Sequence, residues 1–395
     1  MSTQELAVSD AEALDLVCQL MAIRGRGGEE MGVMEFVGRK LTEAGAGPDP
    51  LIFDHANQRS ELGGGIGNGI LRLESDPALG PRRLLMAHTD TVPVCLGSQP
   101  TVEGNLVRSA DPTTGLGADD RSGTAVLLTT AMALLRSGAP HPPLTFLWTV
   151  QEEGGLHGAK HVDTSLLGDP ALSFNFDGGD PAKLLIGATG GYRMWVHVQG
   201  YPSHAGIAPE KGVSAAAIAS IAVADLVENG WHGLVVKGDQ TGTCNIGTVE
   251  AGVATNVVAE HAKLHIEARS HLPGFRDQIV AAIEAAFLRA VDKVVSSEGR
   301  RGSVTFTGGA VYESFRLPDE DPSLIELERV LRSTGAEPRR AISNGGLDAN
   351  WVTSNGIPTI TLGTGQHDIH TVDETLNIAE YQLSRQVAWR LATVA

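Results

Sequence analysis

Arg83-Leu-Leu-Met-Ala-His-Thr-Asp90 is a short apolar run that ends in a histidine and an aspartate two residues apart. A run of this length with no polar alternation reads as a strand buried on both faces, the habit of a parallel sheet. Short apolar runs recur downstream. Leu144-Thr-Phe-Leu-Trp-Thr-Val150 runs into Gln151-Glu152-Glu153, Ala171-Leu-Ser-Phe-Asn-Phe176 runs into Asp177, and Ile357-Pro-Thr-Ile-Thr-Leu362 makes a fourth. Apolar residues at helical spacing fill 121–136 between the first two, and 10–24, 30–45, 320–334 and 377–393 repeat that spacing. The alternation predicts an α/β fold, a mixed and mostly parallel sheet flanked by helices.

Between these outer portions the rhythm changes. Tyr192–Gln199 alternates, a helical stretch covers 213–228, strand-like runs cover 243–250 and 260–268, a second helix covers 275–296 and a last strand 303–307. That order, β-α-β-β-α-β, predicts a ferredoxin-like α+β module over 188–311, inserted into a discontinuous domain formed by 1–187 and 312–395. Two domains also suit a chain of 395 residues, which is long for one core.

The net charge of −17 opposes a nucleic acid or an anionic membrane as partner, since phosphate-rich surfaces would be repelled. Cys18, Cys95 and Cys244 lie far apart without CxxC spacing, so neither a disulfide framework nor a thiolate metal site is expected, and a reducing cytoplasm is the simplest setting. Met1-Ser-Thr-Gln-Glu-Leu lacks the basic and apolar regions of a signal peptide, and Ser9-Asp-Ala-Glu12 reads as a capping box opening a helix. No apolar stretch approaches the roughly 18 residues that span a bilayer. Gly63-Gly-Gly-Ile-Gly-Asn-Gly69 is a glycine-rich turn; no complete GxGxxG opens a helix there and no phosphate loop follows.

The chemistry gathers at the strand ends. In open α/β sheets ligands bind beyond the carboxyl ends of the strands, where His88, Asp90, Glu152, Glu153 and Asp177 would converge and Asp119-Asp120, just before the helix near Arg121, would join them. Each element alone has an ordinary reading. A lone His-x-Asp is a hydrogen-bonded turn pair, adjacent acids are a solvated helix start, and Asp177 before two glycines is a turn aspartate. Their coincidence at successive strand ends carries more weight. Imidazoles and carboxylates suit zinc, and a bridging carboxylate holds two cations roughly 3.5–4 Å apart. One of two consecutive glutamates could then ligate while its neighbour serves as general base. Asp90 fits the place of the carboxylate that orients a ligating histidine.

On His88-Thr-Asp90, Gly117-Ala-Asp119-Asp120-Arg-Ser-Gly123, Glu152-Glu153-Gly, Asp177-Gly-Gly, Tyr201-Pro-Ser-His204-Ala-Gly206, Glu267-Ala-Arg269-Ser and His370-Thr-Val-Asp-Glu374, the sequence resembles the M20 co-catalytic metallopeptidases, and among them the peptidase T-like aminopeptidases. The resemblance implies a zinc-exopeptidase-like catalytic domain whose inserted module is a lid and dimerisation domain. It implies His88 and Asp177 on one cation, Glu153 and His370 on the other, Asp119 bridging both, Glu152 as base and Asp90 bracing His88. It also implies a cis peptide bond after Asp119, an oxyanion role for His204 in the dimer partner's site, and substrate contacts from Asn256 and Arg269, the latter to a carboxylate. Parts of the motifs, Asp119-Asp120-Arg-Ser-Gly and Gln151–Ala159, also look like M42 aminopeptidases. In that pattern, however, the extra domain falls between the first histidine and the bridging aspartate, whereas here it follows Asp177. His367 lies near His370 and competes for the terminal position; the spacing of His370 to Glu374 favours His370.

The expectation is therefore a cytoplasmic homodimeric aminopeptidase that uses two divalent ions, zinc first with cobalt or manganese as alternatives, to release N-terminal residues from tripeptide-like substrates. An N-acyl-amino-acid deacylase or a carboxypeptidase is the rival on the same site, because one hydrolytic centre serves either amide. A catalytically silent metal-binding dimeric scaffold is the rival outside enzymes, and the intact Glu152 argues against it.

Overall fold

The computed structural model describes residues 7–393, so the segment Met1–Leu6 read above for a signal peptide lies outside the described residues. Two compact units emerge. The first comprises Met1–Gly187, Arg316–Ser343 and Leu347–Ala395, and the second comprises Ala188–Phe315 with Asn344–Gly346.

The first unit is built on a nine-stranded sheet that runs in the order Ile52–Phe53, Gly69–Leu73, Leu144–Thr149, Arg83–His88, Leu172–Phe176, Ile360–Leu362, Lys183–Ala188 and Phe315–Arg316, with Arg339–Ser343 also pairing Lys183–Ala188. Its centre is parallel: Arg83–His88 pairs in parallel with both Leu144–Thr149 and Leu172–Phe176, and Ile360–Leu362 continues in parallel beyond them. Antiparallel strands close the flanks, as between Gly69–Leu73 and Leu144–Thr149. The central strands are buried almost throughout because both faces are covered; Leu84, Leu85, Met86 and Ala87 are all fully buried, and so are the polar Thr145 and Ser173. The helix Ala118–Ser137 links the first of these strands to the next, and nearly all of its residues are buried, so it is covered all round rather than along one stripe. On the sheet, Ile70, Leu84, Met86 and Leu147 form one cluster with Ala159, Val162, Leu167 and Val352.

The strand order has a functional consequence. The chain leaves Arg83–His88, returns beside it on one side as Leu144–Thr149, and then crosses to its other side as Leu172–Phe176. The carboxyl end of Arg83–His88 is thus the topological switch point, where the connections diverge and leave a crevice.

Several local expectations meet the structure. Ser9 caps the first helix, Asp10–Ala22, by accepting from the Glu12 amide at 3.2 Å. The fourth strand is shorter than its apolar run suggests, Ile360–Leu362, because Pro358 has no N–H for a ladder and Thr359 is engaged with Thr353 and Ser173. A small sheet that periodicity did not reveal pairs Gln366–His367, Thr375–Asn377, Leu106–Ser109 and Pro100–Glu103. Two of its strands hold only two and three residues, too few to show a period.

The second unit is an antiparallel sheet in the order Gly233–Lys237, Gln240–Ala251, His261–Ser270, Gly190–Gln199 and Ser303–Tyr312. Met194, Val196, Val198, Leu264, Ile266 and Ala268 alternate onto one face and bury against the helices Ala215–Glu228 and Pro273–Lys293. The order is β-α-β-β-β-α-β, one strand more than the expected pattern. The extra strand, Gly233–Lys237, is an edge in which Leu234 and Val236 are exposed while Val235 between them is buried in the core, so its three consecutive apolar residues show no period; it is joined to the next strand by Gly238-Asp239, with Gly238 at φ +64. Among the described residues no helix is long and apolar enough to cross a membrane.

Candidate metal centre and general base

His88 closes the central strand at the switch point, with 2 % of its surface exposed. Its ring is held from both sides: Nε2 lies 3.1 Å from Asp119 Oδ1, while Nδ1 lies 3.2 Å from the Asp90 carbonyl and 3.4 Å from Asp90 Oδ1. Asp90 also does what the sequence reading did not assign to it. Its Oδ1 accepts from the Glu152 amide at 2.9 Å and its Oδ2 from the Glu153 amide at 3.1 Å, so one buried carboxylate ties the first strand end to the second.

Asp119 comes from the start of the helix Ala118–Ser137, where Asp119 and Asp120 leave helical geometry and the peptide bond between them is cis. Glu374 fixes this turn by accepting from the Gly117 amide at 2.6 Å and the Asp119 amide at 2.9 Å. Asp120 points to backbone instead, accepting from the amides of Gly123 and His88 at 3.0 and 3.2 Å. Asp177 follows Leu172–Phe176, and its amide donates to Leu362 at 2.9 Å. The loop between Gln366–His367 and Thr375–Asn377 brings His370 across, at a left-handed φ of +65, to place Nε2 2.9 Å from Glu153 Oε1 and 3.2 Å from Asp119 Oδ2. His367 is turned elsewhere, with Nε2 2.5 Å from Glu380 Oε2. The two histidines are not on a helix: His367 ends a two-residue strand and His370 lies in the turn that follows it.

Donor atoms from His88, Asp119 and Asp177 lie within 4.8 Å of one another, and so do those from Asp119, Glu153 and His370; a third such group joins His88, Glu152 and Glu153. Asp119 belongs to the first two, each of which combines carboxylate with imidazole. No thiolate takes part: buried Cys95 donates to Glu374 at 3.3 Å.

Crowding of acids shapes the titration of the metal-free cluster. Burial pushes Glu153 up to about 7 and Asp177 up to about 6, the charge on Asp119 adding to both. Burial lifts Glu152 well above the usual carboxyl range against the opposing charge of His88, and Asp348, Glu153 and Asp177 lift it further. Asp119 is the exception: burial would raise it, but hydrogen bonds and charge from His370 and His88 hold it below the ordinary range. Hydrogen bonds to Asp119 and Glu153 raise His370 to about 10. Asp119 and Glu153 lie at hydrogen-bond distance from imidazoles, and with Asp177 beside them they make a donor set that divalent cations satisfy.

Three further residues belong to the site. Gln366 Nε2 donates to Asp119 Oδ1 at 3.1 Å and to Asp177 Oδ1 at 2.9 Å, Glu374 holds the Asp119 turn, and Asp348 is buried with Oδ2 accepting from Thr149 at 2.5 Å while Oδ1 has no partner. Glu374 stood inside a quoted motif, but Gln366 and Asp348 carry no local signal, because their partners are distant in sequence.

His204, Asn256 and Arg269 lie in the second unit. His204 and Asn256 are neighbours: His204 bridges Val257, and the Ala205 amide donates to the Asn256 carbonyl at 3.0 Å. Arg269 places Nε and Nη2 2.9 Å from Glu267 Oε2, and Nη1 3.5 Å from the Asn344 carbonyl. Its guanidinium already holds a carboxylate of its own chain.

Comparison with known proteins supplies the context. Over 98% of both chains the fold matches the crystal structure of aminopeptidase PepT from Bacillus cereus ATCC 10987, with a TM-score of 0.83 at 28% identity. Over the same shares it matches a tripeptidase from Staphylococcus aureus subsp. aureus Mu50, with a TM-score of 0.86 at 28% identity. The uncharacterized protein YqjE of Bacillus subtilis (strain 168) is 29% identical over 374 residues, 94% of this chain and 95% of that protein. The model of peptidase family M20/M25/M40 matches residues 84–393. With the metal-suited clusters at the strand ends and a fold close to PepT structures, the chain belongs to peptidase family M20/M25/M40 and is a peptide-bond hydrolase of the peptidase T-like kind.

Proposed function

We propose that this protein is an aminopeptidase releasing N-terminal residues from tripeptide-like substrates, with two divalent cations, zinc first, held in a site shared at Asp119. The observation that carries the reading is the pair of three-residue groups meeting at Asp119. His88 and Asp177 would complete one position and Glu153 and His370 the other; imidazole nitrogens and carboxylate oxygens without thiolate suit zinc, with cobalt and manganese as alternatives. The chemistry such a pair supplies when bound is activation of a water and polarisation of an amide carbonyl.

The chain's own residues do the rest. Glu152 is the general base, accepting the proton of the attacking water and passing it to the leaving amine, a service worth about 10²–10⁴-fold in rate. Its raised proton affinity in the buried cluster suits a group that must take up a proton and release it again. Asp90 holds the backbone on which Glu152 and Glu153 sit. His204 is assigned to oxyanion stabilisation, Asn256 and Arg269 to substrate, and the second unit to a homodimer; family resemblance supports these assignments, as do the names of the PepT and tripeptidase structures for the peptide substrate.

A substrate panel on zinc-loaded enzyme tests the proposal. Free-amine tripeptides should be cleaved and their N-acetyl counterparts spared; the reverse pattern would identify a deacylase and refute the aminopeptidase. Glu152→Gln should lose hydrolysis by about 10²-fold or more while retaining both metals. Full activity in that variant would remove Glu152 as the base.

A further inference from the structure

We propose that Gln151 is a positioning residue, clamped by the glycine-rich loop at Ser60–Gly64, that fixes the turn presenting Glu152 and Glu153; the proposal rests on the reading of Glu152 as base and Glu153 as ligand.

The residue is buried, with none of its surface exposed, and it belongs to none of the metal-suited groups. Its backbone takes a left-handed φ of +57, uncommon for a residue other than glycine. That single dihedral turns the chain out of the Leu144–Thr149 strand and sends the next two residues toward the cluster. Every polar group of Gln151 is then engaged. Its amide donates to buried Glu30 Oε1 at 3.0 Å, and its carbonyl accepts from the His157 amide at 3.1 Å. Its side-chain Oε1 accepts from Ser60 Oγ at 2.5 Å while Nε2 donates to the Gly63 carbonyl at 2.5 Å. A carboxamide is the side chain that accepts at one end and donates at the other, so this double contact selects Gln over Glu, Leu or Met of similar length.

The loop that grips it has the composition for close approach. A Cβ on Gly64 would fall 2.7 Å from Gln151 Nε2, at φ +117, and a Cβ on Gly154 would fall 2.4 Å from Leu62 Cδ1. On the other side a Cβ on Gly27 would meet Asp90 Oδ2 at 3.3 Å. The glycine run read from sequence as a plain turn therefore lies against the base-bearing turn, and its missing side chains permit the contact.

A role confined to loop anchoring would lower stability and leave turnover of the folded, loaded enzyme alone. A positioning role makes a different pattern. Outer partners of ligands and reacting groups cost about 10–100-fold when removed, and a small displacement of a reacting group costs kcat rather than ground-state binding. Gln151→Ala should therefore lower kcat for a free-amine tripeptide by about 10–100-fold at near-constant KM. It should also speed zinc loss to a chelator, measured separately from hydrolysis. Gln151→Gly accepts φ +57 without strain yet lacks the clamp, so it should be as impaired as Gln151→Ala. Ser60→Ala removes half the clamp and should show a smaller loss, with Ser60→Ala/Gln151→Ala no worse than Gln151→Ala alone.

Restored kcat in Gln151→Gly, additive losses in the double variant, or wild-type kcat and zinc retention in folded Gln151→Ala would each overturn the proposal. Should the wild type cleave no peptide, the aminopeptidase reading fails, and the chelator rate alone decides the clamp: unchanged zinc loss in Gln151→Ala refutes it and faster loss upholds it. Ser60→Ala keeps this measurement open if Gln151→Ala fails to fold.

Discussion

Stripping the divalent metal should leave a protein whose stability falls as pH rises, and the structure sets the window. In the metal-free cluster burial and the Asp119 charge hold Glu153 at about 7 and Asp177 at about 6, whereas both titrate near 4 in an unfolded chain. Each keeps in the fold a proton that the unfolded chain releases. Their favourable contribution is complete below the unfolded value and is lost as pH climbs through the folded one. At about 1.4 kcal/mol per unit, each loses on the order of 3 kcal/mol between about pH 4 and 7, and because they share a site the loss belongs to the cluster rather than to either residue. His370, raised to about 10 by Asp119 and Glu153, acts in the same direction: its contribution is complete below the unfolded value near 6.5 and lost through about 10. Asp119 has the opposite sign, but its contribution is constant above about pH 4 and does not enter the window.

Urea unfolding of chelator-treated protein at about pH 5, 6, 7 and 8 measures the fall, and zinc-reconstituted protein should not follow it, because ligation requires the deprotonated groups. Calorimetry in buffers of different ionisation enthalpy should show zinc uptake near pH 7 releasing about two protons, from His88 and His370, with a fraction more from Glu153. Metal-free stability that is flat or rising between about pH 5 and 7, or zinc uptake without proton release, would refute the reasoning.

Two further outcomes follow from the geometry. Asp119→Ala should lose metal at both positions while Glu153→Ala loses it at one; elemental analysis after dialysis distinguishes them, and two retained ions in Asp119→Ala would overturn the shared position. Gly123→Ala places a methyl 2.0 Å from the Phe176 carbonyl and 2.5 Å from Asp120 Oδ1, and should lower stability by about 3 kcal/mol in urea melts, since backbone cannot yield as a flexible side chain does.

Much of the first unit was legible because its signals are local. Arg83–His88, Leu144–Thr149 and Leu172–Phe176 are short, largely apolar runs, as suits strands covered on both faces, and each leads within a few residues into those that converge. The edge strand Gly233–Lys237 and the two-residue strand Gln366–His367 were not legible, one because Leu234 and Val236 face outward on either side of buried Val235, leaving an unbroken apolar run without a period, and the other because it is too short to have one.

By itself, then, the sequence determined the residue types at the strand ends, the family motifs that contain them, and hence the class of chemistry. The tertiary structure alone decided which partners those residues meet. His367 and His370 compete for one position in the sequence, separated there only by the spacing to Glu374; in the fold Glu380 takes the first and Glu153 with Asp119 the second. Gln366 reaches back to Asp119 and Asp177, Asp348 to Thr149, and Ser60 across to Gln151, none of them close in the chain. Periodicity and motif spacing report a residue's surroundings over a few positions, whereas a hydrogen bond between segments depends on how the whole sheet is ordered. The strand crossing that makes the switch point at His88 is therefore what turns separate motifs into one site.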